Sequence, residues 1–205
     1  NENVSLSTVT TSNTVDATSN VGAIVDNTAA EAANITGSTL DLDAATGIGS
    51  GASLGGAADI DINGTLLSAV NSTSGNININ EVDSVALDDL VNTGRPVVLD
   101  AGAAITDGNA ADTANISAGT AEVRSVTGIG TGLAGDAGDI DTIVTGDFAA
   151  QTDSGNINVH NVGSFTIGAL GTISGVEILD TADNNNGEDI TVRAASPLTI
   201  NSPVV

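Results

Sequence analysis

One block of this chain occurs twice. Ser74-Gly75-Asn76-Ile77-Asn78-Ile79-Asn80 returns as Ser154-Gly155-Asn156-Ile157-Asn158-Val159-His160, 80 positions later. Asp59-Ile60-Asp61 returns as Asp139-Ile140-Asp141 at the same offset, and Ala33-Asn34-Ile35-Thr36 returns as Ala114-Asn115-Ile116-Ser117 at 81. Several matches in one order at one offset mark an internal duplication, about 33–113 and 114–193. Repeats constrain a fold more than any local propensity, because a repeated unit must stack on its neighbours to bury its apolar face.

A shorter period runs inside the unit. One apolar position recurs at Val15, Ile35, Ile60, Ile77, Val97, Ile116, Ile140, Ile157, Val176 and Ile190, with a mean spacing of about 19 residues. Around it the chain alternates, as in Ile60-Asp61-Ile62 and Ile190-Thr191-Val192. Period-two alternation of β-branched residues reads as short, half-buried strands. Gly, Asn, Asp, Ser and Thr fill the gaps and supply turns. No helical stripe persists. The expected fold is all-β: a right-handed parallel β-helix of about ten coils of ~19 residues, forming a single domain over 1–205 and a rod near 50 Å long.

The residue before the recurrent Ile is usually Asn or Asp. Asn34, Asp59, Asn76, Asn115, Asp139, Asn156 and Asp189 hold this slot. Stacked amides can bond one another between coils, as in cross-β ladders. These seven are therefore expected to form a register-setting ladder beside the aliphatic columns.

The Gly-Asn-Ile-x-Ile/Val signature, the short coil and the absence of Cys together resemble the repeat region of filamentous-haemagglutinin-like exoproteins. The likeness covers about residues 15–201. It implies an extracellular, right-handed β-helical adhesin stalk exported by two-partner secretion or autotransport, and no active site. The Asn-Pro-Asn type targeting motif of that family is absent; Asn1-Glu2-Asn3 does not match it.

Charge narrows the partners. With Asp+Glu 26 against Lys+Arg 3, the net charge is -23. Nucleic acid and anionic membranes select the opposite sign. No apolar run is long enough to span a bilayer. Zero Cys removes disulfides and thiolate metal sites. The chain starts at Asn1 with no Met anywhere, as expected of a mature or excised piece of something longer.

Chemistry-bearing candidates are few. Asp180, Asp183, Asn185, Glu188 and Asp189 crowd one turn whose oxygen donors would suit Ca²⁺, although the spacing is not that of an EF-hand. Asp59/Asp61 and Asp139/Asp141 flank an inward Ile and are expected on the solvated outer face. His160, the single His, replaces Asn80 of the first unit and is expected at the surface. Asp41/Asp43 and Asp88/Asp89 are pairs of the kind that serve polysaccharide-active β-helix enzymes. Without Trp, Tyr or Lys to grip a sugar, that reading is remote.

The expected role is structural, without catalysis: a rigid extracellular stalk or a self-assembling cell-surface filament subunit. Both ends of a β-helix expose strand edges, so end-to-end self-association is the expected partnership. Segments 1–14 and 197–205 are the candidate docking strands. The alternative is an adhesin module that binds through loop insertions after Ile35 and Ile116, or through cation bridging.

Overall fold

The computed structural model describes residues 2–28, 32–51, 58–109, 113–131, 138–181 and 187–205. Among them the chain is all-β, with no helix. Most strands join one large sheet. Every described strand pair is parallel except Ala169–Leu170 with Ile173–Ser174, a small antiparallel hairpin.

The register carries the organisation. Val4 faces Ile24, Ile24 faces Ile48, Ile48 faces Ile77 and Ile77 faces Val97. Val97 faces Ala121, Ala121 faces Phe148, Phe148 faces Ile167 and Ile167 faces Ile200. Each residue thus pairs with one earlier and one later in the chain. A second row runs Ile60, Ile79, Leu99, Val123, Ala150 and Val176. A third runs Val85, Ile105, Ile129, Ile157 and Ile190.

These rows correct the spacing expected from the sequence. Parallel partners lie 19 to 33 residues apart, not uniformly near 19. The single recurrent position also divides among several rows. Ile35 faces Ile62 rather than Ile60, and Ile116 faces Thr142 rather than Ile140. The physical reason is that alternating strands recur more than once between successive partners. Alternation says which side of a strand is inward, but not which row the strand joins.

The rows form one apolar core. Ile24, Ile35, Ile48, Ile60, Ile77, Ile105, Ile116, Ile129 and Ile157 are fully buried. Each contributes roughly 1.5–3 kcal/mol of burial. The two Phe residues pack together, with ring centroids 5.1 Å apart. Phe148 shares its strand with the small buried Ala149 and Ala150, which offset its volume. The turns before the repeated strands need Gly. Gly75 and Gly155 have φ of 84° and 77°, and a Cβ on either would collide with the carbonyl of Thr46 or Thr127.

The terminal segments are paired within the chain. Val4–Leu6 lies beside Ile24–Asp26, Val9 beside Ile35, and Leu198–Ile200 beside Phe165–Ile167. The residues immediately after Ile35 and Ile116 are strand, Ile35–Ala44 and Ile116–Ser125. The extra length expected there falls later, before Ile60 and Ile140, and lies partly outside the described residues.

Candidate functional site

Two equivalent polar sites flank the core. In the first, Asn34 donates from Nδ2 to Asp26 Oδ1 at 2.7 Å and accepts the Asp61 backbone N–H on Oδ1 at 2.9 Å. In the second, Asn115 donates to Asp107 Oδ1 at 2.8 Å and accepts the Asp141 N–H at 2.9 Å. Both Asn side chains are fully buried. An Asn held this way ties a turn to the next strand and leaves no buried amide unsatisfied. The same burial takes Asn34 and Asn115, each the first residue of an Asn-x-Ser/Thr glycosylation sequence, out of solvent.

The next residues in register complete each site differently. Asn80 Nδ2 donates to Asp61 Oδ1 at 2.7 Å. His160 Nδ1 stands 2.8 Å from Asp141 Oδ1. Beyond His160 comes Arg193, which pairs with Asp139. Beyond Asn80 comes Asp100, which pairs with Arg124 at 3.1 Å. Burial pushes the Asp61 carboxyl above its ordinary value; the Asn80 bond opposes that shift, and the Asp26 charge adds to it.

Asp59, Asp61, Asp139 and Asp141 are therefore not on a solvated face. All four are at most 5% exposed. In the first copy, residues 50 and 51 fold over this side: Asn78 Nδ2 donates to the Ser50 carbonyl at 3.2 Å, and Asn76 Nδ2 to the Gly51 carbonyl at 3.0 Å. His160 is likewise half-buried and paired rather than free at the surface.

The seven slot residues do not form one continuous stack. Asn34 and Asn115 lie in register with Asp61 and Asp141, not with Asp59 and Asp139. Asn156 and Asp189 do meet, the Asp189 N–H donating to Asn156 Oδ1 at 2.8 Å. Asn76 turns to Gly51, and Asp139 to Arg193.

A direct amide ladder forms elsewhere. Asn71 Nδ2 donates to Asn92 Oδ1 at 2.9 Å and to the Ser74 carbonyl at 2.8 Å; Asn92 Nδ2 donates to the Pro96 carbonyl at 2.6 Å. Both residues are buried. Their sequence signal is an Asn followed by Ser or Thr where an apolar run ends. Ser125 and Thr152, with oxygens 3.1 Å apart, continue the theme with hydroxyls.

A second substitution separates the copies. Glu81 Oε2 accepts the Gly64 N–H at 3.0 Å, and Oε1 accepts the Asp83 N–H at 3.2 Å. Its counterpart Asn161 accepts the Val144 N–H at 2.8 Å and the Thr142 hydroxyl at 2.8 Å. Both side chains are buried. Burial pushes the Glu81 carboxyl from 4.5 up to about 7, against the two N–H donors, which favour the charged form.

On another row, Asp16, Asp41, Ser68 and Asp89 face one another. Burial first, then the like charges of Asp43 and Asp16, raise the Asp41 carboxyl, while a Ser68 hydrogen bond lowers it. Burial and then Asp88 raise that of Asp89.

Of the candidate Ca²⁺ turn, Asp183 and Asn185 lie outside the described residues. Asp180, Glu188 and Asp189 line a cavity of about 430 Å³ with Ile178, Ile190 and Val205. Among the described residues, no group of three or more His, Cys, Asp or Glu side chains is placed to hold a metal ion. Asp180 adopts φ 44°, a left-handed conformation that Asp tolerates.

Two strand edges remain. The strands Ile190–Ala194 and Leu198–Ile200 each pair on one side, with Leu198, Ile200 and Val205 exposed. At the other end Thr14–Ser19 pairs on one side, and Val9 is exposed. No described helix is long and apolar enough to cross a membrane. No family model matches the sequence, and no curated protein or solved structure shows significant similarity to it.

Proposed function

We propose that the chain winds as a right-handed parallel β-helix and serves as a structural element, an extracellular stalk or a filament subunit, without catalysis. The observation carrying this reading is the row from Val4 to Ile200, in which every partner lies further along the chain and every pairing is parallel. A chain that always returns to pair in parallel with its preceding segment advances by one strand spacing per turn. Right-handed crossovers are the favoured sense. Eight pairings at ~4.8 Å make a rod of about 40 Å, shorter than ten coils of ~19 residues would give.

Function follows from mechanics. Backbone donors along the rod are paired, which resists proteolysis and bending. The two unpaired edges have the same strand direction, so the last strands of one copy can accept the first strands of another. Such a contact does not close and builds a filament. The net charge of -23 keeps the rods apart laterally. A cell-surface or secreted location suits such a rod, and its resemblance to haemagglutinin-like repeats points the same way.

Negative-stain electron microscopy of the purified chain, with Ca²⁺ and with chelator, tests the reading. Fibres of uniform width that disappear in an Ile200→Lys variant support the filament. Isolated rods of about 40 Å support the stalk. Compact, isometric particles overturn both. Fibre loss on chelation makes assembly metal-dependent.

A further inference from the structure

Glu122 lies on the outward side of the strand Ile116–Ser125, yet it is only 3% exposed. The hairpin Ala169–Leu170 with Ile173–Ser174 covers it, packing across the neighbouring strand Asp147–Thr152. Glu122 Oε1 has no hydrogen-bond partner. Gly171 sits against the carboxylate with φ 51°, and a Cβ there would overlap both carboxylate oxygens. Beside them is a cavity of about 150 Å³ walled by Pro96, Val97, Val98, Thr120 and Leu170.

A buried carboxylate oxygen without a donor is costly, and it is a place where a ligand gains most. The three Arg side chains are engaged elsewhere, Arg124 with Asp100, Arg193 with Asp139, and Arg95 with the Thr73 carbonyl. The chain contains no Lys. Burial raises the Glu122 carboxyl above its ordinary value, and the charge of Asp100 adds to that rise.

The walls decide the class of ligand. A divalent cation needs several oxygens, and a water needs two to four polar partners; this cavity is mostly hydrocarbon. A guanidinium fork needs both carboxylate oxygens open along one side, and here Gly171 lies against both. A quaternary ammonium has no N–H to donate. A primary ammonium on a short alkyl stem satisfies both features, with the stem against Val98 and Leu170 and one N–H on the Glu122 carboxyl group.

We propose that the Glu122 cavity beneath the 169–174 hairpin binds a primary alkylammonium group, from a free amine or from a lysine of another protein. The step is non-covalent: the ligand enters as the ammonium and pairs with the carboxyl group, drawing it into its ionised form.

The test is a titration of the ¹⁵N-labelled chain with n-butylammonium at neutral pH and about 0.15 M salt, which screens non-specific surface attraction. The expected result is saturable shifts confined to residues near 96–98, 120–122 and 169–173, with a Kd of order 1–10 mM. Glu122→Gln keeps the size of the side chain and weakens binding by about tenfold or more. Gly171→Ala has a similar effect. n-Butanol and tetramethylammonium leave these resonances in place, a comparison that needs no variant. Matching shifts with Nα-acetyl-lysine methylamide identify a lysine as an acceptable source; shifts with butylammonium alone restrict the site to free amines. Shifts scattered over the acidic surface, equal binding by Glu122→Gln or n-butanol, or no saturable response overturn the proposal.

Discussion

The two halves of the molecule make the same backbone bonds with different charges. Asn34 and Asn115 hold Asp61 and Asp141 through hydrogen bonds of the same lengths. The first half then stacks Asn80 on Asp61 and buries Glu81. The second half uses His160 and Arg193 against Asp141 and Asp139, and replaces the buried acid with Asn161. Backbone geometry sets what a position must accept or donate; charge is then free to vary, provided it is neutralised or protonated. The first half should respond to pH through Glu81, a response that Asn161 removes from the matching position of the second.

The largest effect should be one the halves share. Ile48→Ala and Ile129→Ala each remove a fully buried side chain from equivalent positions. Each should lower stability by about 2–5 kcal/mol in urea unfolding. A much larger loss at one position would break the equivalence.

Glu81 should separate the halves. Its carboxyl titrates near 7 when folded and near 4.5 when unfolded. A raised folded value means that stability is fully present below about 4.5 and is lost as pH rises through 7. That gap corresponds to about 3 kcal/mol. Glu81→Gln should flatten the pH profile between 5 and 8, and Asn161→Glu should steepen it. An unchanged profile in Glu81→Gln would remove Glu81 as the source.

Arg193→Gln should cost about 1–3 kcal/mol, because it leaves the buried Asp139 without its cation. Thermal melts of the variant against the parent chain measure that loss. The smallest effect should come from His160→Asn, which copies Asn80 onto the second half. A change below about 1 kcal/mol is expected, because Asn keeps a hydrogen-bond donor beside the buried Asp141, as Asn80 does beside Asp61. A larger change would mean that the histidine does more than fill the Asn80 position.

Part of this was legible in the sequence. The Ile60-Asp61-Ile62 and Ile77-Asn78-Ile79 alternation does form strands. Asn34 and Asn115 do bond neighbouring strands. The register was not legible, because Ile60 and Ile62 are equally inward and only the long-range pairing of Ile62 with Ile35 distinguishes them. Burial of Asp59 and Asp139 was missed for a related reason. Alternation assigns them outward, and only the fold reveals the chain that returns to cover this side. Glu81 gave no local signal, since a Glu at the end of an Asn-rich strand looks solvated. Glu122 is covered by a hairpin some fifty residues later, a contact that no local pattern predicts.

The winding itself can be tested with spin labels, because the chain has no Cys to interfere. Pulsed dipolar spectroscopy on a Ser5→Cys/Thr199→Cys double variant measures across all eight pairings of the Val4–Ile200 row. The account predicts a distance of roughly 40 Å, lengthened by the label arms. A narrow distribution below about 25 Å would place the first and last strands side by side and contradict it.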